Sequence, residues 1–240
     1  MGKCILVGAY GGIGRALLGK LVEDPAIGKI EATHRIPVFD GGACGQVAWR
    51  TLDLESPDSI EHNTQRWLDE LESIEYFIRT AGVLHDSDLQ PEKRLQQLRS
   101  SNLHRLFQVN AAGPMLLLAG LEPLLKRARR PKVMVLSAQV GSVEDNRLGG
   151  WHSYRMSKAA LNMGLKNVAI EAGRWRNDAV VIAVHPGTTH SQLSAPFVRN
   201  RKQPVRSAAQ TAEHLYHLLT TAGPQHHGGF FTAQGQPLPW

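Results

Sequence analysis

Tyr154 and Lys158 stand four residues apart in Ser153-Tyr154-Arg155-Met156-Ser157-Lys158-Ala159-Ala160-Leu161-Asn162. On a helix that spacing stacks them on one face. A phenol beside an ammonium is an acid–base device. A free tyrosine titrates near ~10. An ammonium at about 4 Å, in an effective dielectric of roughly 20, favours the phenolate by about 4 kcal/mol. That is a shift of about 3 units, bringing the phenol to about 7, where proton-transfer catalysts work best. The stripe Leu161, Leu165, Val168 and Ala172 continues the same helix and would face a sheet. Two surface side chains brought together by helical pitch would read the same way, so the pair needs a second feature beside it.

That feature is the turn Gly8-Ala9-Tyr10-Gly11-Gly12-Ile13-Gly14, which follows an apolar run and opens a helix. Gly8, Gly12 and Gly14 let the chain turn sharply, let a pyrophosphate approach the backbone and let a helix pack closely on a strand. The helix N-terminus offers unpaired N–H groups and partial positive charge to phosphates. A dinucleotide site is therefore expected around Gly8, Tyr10, Gly12, Ile13 and Gly14. Asp53, after the third strand, fits two roles: an acceptor for an adenine amino group, or an aspartate that opens a helix. Thr33-His34-Arg35 ends the second strand, and no carboxylate follows before Asp40. A cofactor with free ribose hydroxyls favours an acidic residue there, whereas Arg35 suits a 2′-phosphate. NADP is preferred over NAD on this ground.

The elements that must position these residues alternate. Strands are expected at Lys3–Val7, Ile30–His34, Gln46–Thr51, Ile74–Ile78, Lys132–Leu136, Ala179–His185 and Gly229–Thr232. Helices are expected at Gly14–Val22, from Ser56 through Leu71, after Leu103 through Phe107, Leu117 and Leu125, at Ser153–Trp175 and at Ser207–Leu219. Such alternation implies a doubly wound parallel α/β sheet with helices on both faces. The unalternating runs Val133–Leu136 and Val180–Val184 suit strands covered on both sides. The 240 residues fit one domain, 1–240. Polar loops are expected at Pro37–Gly45 and Ser191–Gln203, the second long enough to act as a lid.

Composition narrows the partners. The net charge of +6 includes the runs Lys126–Arg130 and Arg199–Lys202. Neither interleaves aromatics, so nucleic-acid binding is not expected. No apolar run approaches the ~18 residues of a membrane span. No signal-peptide pattern precedes Ile5-Leu6-Val7, so a cytoplasmic protein is expected. Cys4 and Cys44 are the only cysteines, and neither a disulfide nor a metal framework is expected. His226-His227 reads as a turn rather than a ligand pair.

Taken together, Gly8-x-x-x-Gly12-Ile13-Gly14, Asp53, Ala81-Gly82, Asn110, Tyr154-x-x-x-Lys158 and Pro186-Gly187 resemble the short-chain dehydrogenase/reductase family over nearly the whole chain. Asp145–Trp151, His185-Pro186-Gly187-Thr188 and the closing Pro239-Trp240 are most similar to its C-factor and sniffer-type carbonyl reductase branch. The resemblance implies a seven-stranded Rossmann fold, a homodimer or homotetramer, and hydride exchange between a nicotinamide and a small carbonyl or alcohol. It implies that Tyr154 donates the proton, that Lys158 binds the nicotinamide ribose, and that Asn110 holds a relay water, steadies a helix irregularity before Gly113-Pro114, or both. Leu54, Ala81, Gly82, Pro186, Gly187, Thr188 and Ser191 are implied as cofactor contacts. Three places depart from the family pattern. Val7-Gly8 replaces Thr-Gly. Arg79-Thr80-Ala81-Gly82 replaces Asn-Asn-Ala-Gly. Ser137-Ala138 replaces Ser-Ser, so Ala138 stands where a serine would polarise the carbonyl. Ser137 is the expected substitute, with Ser142 in reserve. The alternative is a cofactor-binding sensor or C-factor-like signalling protein with little catalysis.

Overall fold

The structure is a computed structural model that describes residues 1–36, 45–175, 178–198 and 205–240. Asp40, Cys44, the basic run Arg199–Lys202, the loop from Pro37 up to Gly45 and the far end of the expected lid lie outside the described residues. The strands are β1 (Gly2–Val7), β2 (Ile27–His34), β3 (Val47–Thr51), β4 (Tyr76–Arg79), β5 (Lys132–Leu136), β6 (Val180–His185) and β7 (Phe230–Thr232). They form one sheet in the order β3-β2-β1-β4-β5-β6-β7, with every neighbouring pair parallel. The helices are α1 (Gly12–Glu23), α2 (Pro57–Glu70), α3 (Ser100–Phe107), α4 (Gly113–Arg127), α5 (His152–Ala172), the short α6 (Ala195–Val198) and α7 (Ala208–Thr221).

Burial on both faces explains the apolar strands. Ile5, Phe77, Val133 and Val181 join the core beneath α2, α4 and α5. Their neighbours Leu6, Ile78, Met134 and Ile182 join the core beneath α1 and α7. Cys4 belongs to the second core and is buried, as a small apolar residue would be. Helix starts follow local chemistry. Ser56 accepts from the Ser59 N–H at 3.1 Å, with Pro57 in the first turn of α2. Ser207 and Gln210 cap α7 reciprocally.

Several boundaries differ from the sequence reading, three of them near the site. The fourth strand runs Tyr76–Arg79 rather than Ile74–Ile78, because ladder register with Val7 and Val135 carries an arginine into the sheet. The helical stretch through Leu125 begins earlier, at Ser100, and is broken by a π turn at Gln108–Ala112, just ahead of Pro114. Helix α5 stops at Ala172, before Gly173, not at Trp175. His227 serves the backbone, accepting from Val181 N at 3.3 Å and meeting Ala169 O at 2.8 Å. In the first basic run, Lys126 pairs with Glu122 at 2.8 Å and Arg127 donates to the Glu72 carbonyl. No described helix is long and apolar enough to cross a membrane.

The edge that would carry an adenosine is held by a buried ion cluster. Glu31 of β2 meets Arg50 of β3, Arg50 also meets Glu70 of α2, and Trp67 Nε1 donates to Glu31 at 3.2 Å. Burial would raise the Glu31 carboxyl, but Arg50 and Lys29 hold it below the usual carboxylate range. Removing Glu31 takes from the buried Arg50 one of its two carboxylate partners. Glu31→Ala is expected to cost about 3 kcal/mol in urea unfolding, and a Glu31→Leu/Arg50→Leu double variant to recover most of it. Equal losses in both variants would refute a charge-based cost.

Candidate active site

The strand order reverses between β1 and β4, and a crevice of about 1600 Å³ opens at their carboxyl ends. Its floor is the glycine turn. Gly8 has φ +88°, and a β-carbon there would lie 2.6 Å from Ala81 N. At Gly14 a β-carbon would lie 2.1 Å from Gly8 O and 2.8 Å from Thr80 Oγ1. A β-carbon at Gly12 would meet only ordinary contact, 3.7 Å from Ser191. No side chain caps α1 at Gly11, so its first-turn N–H groups face the crevice. Backbone approach, open amides and a dipole end together fit a dinucleotide pyrophosphate.

All the sequence-expected cofactor residues line this one crevice: Gly8, Tyr10, Gly12, Ile13, Gly14, Arg35, Asp53, Leu54, Ala81, Gly82, Tyr154, Lys158, Pro186, Gly187, Thr188 and Ser191. Several have visible structural tasks as well. Asp53 Oδ1 accepts from Glu55 N at 2.9 Å, and Asp53 N donates to Ser59 Oγ, so it shapes the start of α2. Arg35 lies 3.5 Å from Glu55, which Arg105 also engages. Arg15, in the first turn of α1, lines the same crevice and was missed because it stands one residue past the glycine motif. Thr33 and Thr80 were read too weakly. Thr33 Oγ1 accepts from Gly8 N at 3.1 Å, and Thr80 Oγ1 donates to Gly8 O at 3.0 Å, so two hydroxyls pin the turn.

The proposed chemical groups sit on the opposite wall. Tyr154 and Lys158 are both buried on α5 and both line the crevice. Lys158 Nζ lies 5.7 Å from the Tyr154 ring centroid and donates to the Leu136 carbonyl at 3.1 Å. The near-neutral phenol expected from the pairing is corrected by its burial. Burial outweighs attraction and pushes the Tyr154 phenol up to about 12, with the Arg79 charge opposing it. The phenol therefore holds its proton at neutral pH, the form a proton donor needs. Burial, then the Arg79 charge, pushes the Lys158 ammonium well below its ordinary range.

Ser137, in the crevice wall, spends its hydroxyl proton on Asn162 Oδ1 at 2.6 Å. Ser142 is not on the wall. Its hydroxyl donates to Trp240 O at 3.0 Å and accepts from Asp145 N, so the reserve candidate is ruled out by its direction. Ala138 lines the site without a donor. Asn110 lies behind the wall, fully buried within the π turn. Its amide holds Val83 N at 3.0 Å, Val83 O at 2.8 Å and Ser157 Oγ at 3.1 Å. Its visible work is to tie the segment after β4 to α5.

A third wall is apolar and aromatic. Trp151 packs 4.9 Å from Phe197 and 6.2 Å from Tyr154, and His85 lies edge-on 5.5 Å from Phe197. Leu193 and Phe197 join Val83, Leu84 and Val140 around Tyr154. Trp151, Leu193 and Phe197 line the crevice and Pro196 does not, while His85, which no local pattern marks, joins the wall with its Nε2 3.0 Å from Leu193 O. Also missed was Glu92. It caps α5 from outside the helix, accepting from Ser153 N at 3.2 Å and from the Ser153 hydroxyl, while its carbonyl accepts from Trp151 N. No sequence signal links positions 92 and 153.

A native lysine pKa below its unfolded value means the folded chain sheds a proton that the unfolded chain keeps. Below the unfolded lysine range the group therefore costs stability. Lys158→Met is expected to raise Tm by roughly 5 °C at pH 7. The gain should shrink as the pH climbs toward about 10.4, where the unfolded lysine also loses its proton. A variant less stable than the parent at pH 7, with no pH trend, would contradict the assignment.

Comparison with known proteins agrees with this geometry. The pattern of the family described as short chain dehydrogenase matches residues 3–202. The chain is similar to the C-signal of Myxococcus xanthus, at 28% identity over 140 residues, covering 58% of this chain and 80% of that protein. It is similar to 1-hydroxy-2-glutathionyl-2-methyl-3-butene dehydrogenase of Rhodococcus sp. (strain AD45), at 27% identity over 100% of both chains. Its fold is similar to that of carbonyl reductase Sniffer of D. melanogaster, with a TM-score of 0.84 and 21% identity over 100% of both chains. The chain belongs to the short chain dehydrogenase family and is an NAD(P)-dependent oxidoreductase.

Proposed function

We propose that this chain, as one domain, is an NADP-preferring carbonyl reductase or alcohol dehydrogenase in which Tyr154 is the acid–base group. The observation that carries the reading is that Tyr154 and Lys158 share one helical face, both buried, on the wall of the crevice that begins at the glycine turn. A bound nicotinamide dinucleotide supplies or accepts the hydride. Gly8, Gly12, Ile13 and Gly14 would hold its pyrophosphate, Asp53 and Leu54 its adenine, and Pro186, Gly187, Thr188 and Ser191 its nicotinamide end. Lys158 would hold a ribose hydroxyl. During reduction the Tyr154 hydroxyl gives its proton to the carbonyl oxygen as that oxygen becomes negative, and in oxidation it takes the proton back. Ser137 would help by turning its hydroxyl away from Asn162. Asn110 keeps the neighbouring backbone in register and, by the family resemblance, anchors a relay water.

The aromatic wall of Trp151, Phe197 and Tyr154 favours apolar carbonyl compounds over charged ones. Met156, Met163 and Ile170 form an exposed stripe with a seven-residue repeat on α5. That stripe supports a homodimer or homotetramer, and a cytoplasmic location goes with the same reading. A second reading, a cofactor-binding signalling protein, is favoured by one observation: Ala138 offers no donor where Ser137 is already occupied.

Tyr154→Phe is expected to lower kcat at least 1000-fold against a panel of aromatic ketones, while NADPH affinity by calorimetry stays within about threefold. Turnover like the parent's would remove Tyr154 as proton donor, and a cellular phenotype that survives the substitution would favour signalling. Arg35→Ala and Arg15→Ala are each expected to weaken NADPH about tenfold while leaving NADH unchanged. Equal losses for both nucleotides would overturn the 2′-phosphate assignment.

A further inference from the structure

Residues 143–149, ahead of α5, are all exposed, yet Asp145, Arg147 and Leu148 among them line the crevice. Val143 is 76% exposed and Leu148 91%, so no apolar side chain pins this segment to the core. Its exit into α5 is conformationally costly: Gly149, Gly150 and Trp151 have φ of 63°, 65° and 50°. A stretch of this kind samples many positions unless its backbone is tied. The tie is at its base. The main-chain oxygen of Trp240 accepts from the Ser142 hydroxyl at 3.0 Å, from Val143 N at 3.1 Å and from Glu144 N at 3.1 Å. The buried Ser142 Oγ in turn accepts from Asp145 N at 3.1 Å. From there the order is passed on. Arg147 Nη1 donates to Glu144 O at 2.8 Å, and Gln139 Nε2 donates to Asp145 Oδ2 at 2.8 Å.

An oxygen that gathers three donors organises them only if its own residue is fixed. Trp240 is. Its ring stacks on Phe230 of β7 with centroids 5.6 Å apart, lies 5.8 Å from Lys166 Nζ and packs against the core beneath α2, α4 and α5. Lys166 is itself held by the Gly228 carbonyl at 3.0 Å. We propose that Trp240 is a positioning residue for the substrate: its seated ring holds the main-chain oxygen that fixes residues 142–145, and with them the Asp145, Arg147 and Leu148 part of the wall that leads to Trp151, where an apolar carbonyl compound docks. The proposal rests on the reading of the crevice as a carbonyl reductase site. The glycine turn is tied separately, by Thr33 and Thr80, so the cofactor end does not depend on Trp240. Glu92 holds the start of α5 independently, so Tyr154 keeps its place when the segment loosens. The consequence is weaker substrate binding with cofactor binding and proton transfer largely kept.

The test uses three variants. Trp240→Ala removes the ring, Trp240→Phe keeps a ring for Phe230, and Ser142→Ala removes the hydroxyl that joins Trp240 O to Asp145 N. For each, kcat and KM are measured with NADPH and 9,10-phenanthrenequinone, NADPH affinity by calorimetry, and backbone hydrogen exchange across residues 142–148 by mass spectrometry. Trp240→Ala is expected to raise KM about tenfold, with kcat within about threefold and NADPH affinity within about twofold, and to speed exchange across 142–148 about tenfold. Trp240→Phe should return most of each change. Ser142→Ala should raise KM about fivefold, and adding it to Trp240→Ala should cost less than about twofold more, because both act through one segment. A Trp240→Ala that exchanges fast across 142–148 with the parent's KM would overturn the proposal. So would parallel losses of kcat and NADPH affinity, which a purely structural role would give. If Trp240→Ala fails to fold, Ser142→Ala decides alone, and the parent's KM in that variant overturns the proposal. A parent protein that binds NADPH yet reduces no carbonyl sinks the underlying reading of the site instead, and that is measured before any variant is made.

Discussion

The structure is organised around one close approach of backbone to backbone. The first turn of α1 lies so near the end of β1 that Gly14 has no room for a β-carbon beside the Gly8 carbonyl. Thr80, arriving from β4, donates to that same carbonyl, and Thr33, arriving from β2, receives the Gly8 N–H. Three strands of the sheet thus converge on a single peptide. With the strand order reversing there, the convergence leaves a crevice whose floor is bare backbone. A side chain at Gly8 or Gly14 would separate α1 from the sheet, and the amides that suit a pyrophosphate would lose their alignment.

Across the crevice, the site is governed by charge without compensation. The Tyr154 and Lys158 side chains are buried in the crevice wall, and no carboxylate is paired with either. Burial holds the phenol protonated and drives the ammonium toward neutrality, so the two effects expected to cooperate are here in competition. A protonated phenol is already the reducing-direction form. The absence of a hydroxyl on Ala138 places more of the demand for polarising a carbonyl on the tyrosine.

Much of the fold was legible because it follows from periodicity. Val133–Leu136 and Val180–Val184 could only be strands buried on both faces, and they are. The glycine spacing, Tyr154 and Lys158 were legible because each combines an unusual residue type with a spacing that has one geometric meaning. The illegible parts fall into two kinds. Arg79 breaks an apolar pattern, so the strand appeared to end at Ile78; register, not hydrophobicity, carries it into the ladder. Glu92, His85 and Ser142 depend on contacts between segments far apart in the chain, and a local pattern contains no trace of them. The near-neutral phenol failed for a related reason: burial, which a local spacing does not reveal, pushes it up. Helical spacing fixes which face two side chains share, but the Leu136 carbonyl decides where the flexible lysine ends.

Helix α5 brings these strands of argument together. Its N-terminus has no cap of its own: Trp151 precedes it with φ 50°, a left-handed conformation that an L residue adopts at a cost. Glu92 meets that cost from another segment, placing a carboxylate at the helix dipole and a carbonyl on Trp151 N. The same contact aims the Trp151 ring at Phe197 and at Tyr154. One remote carboxylate therefore sets the register of the helix that carries the phenol and the angle of the wall a substrate would meet. Asn110 does the corresponding work one turn deeper, joining Val83 to Ser157. The helix that carries the acid–base pair is thus held in place by two groups, Glu92 and Asn110, that make no hydrogen bond to either side chain. For that reason its helical spacing could be read from the sequence while its environment could not.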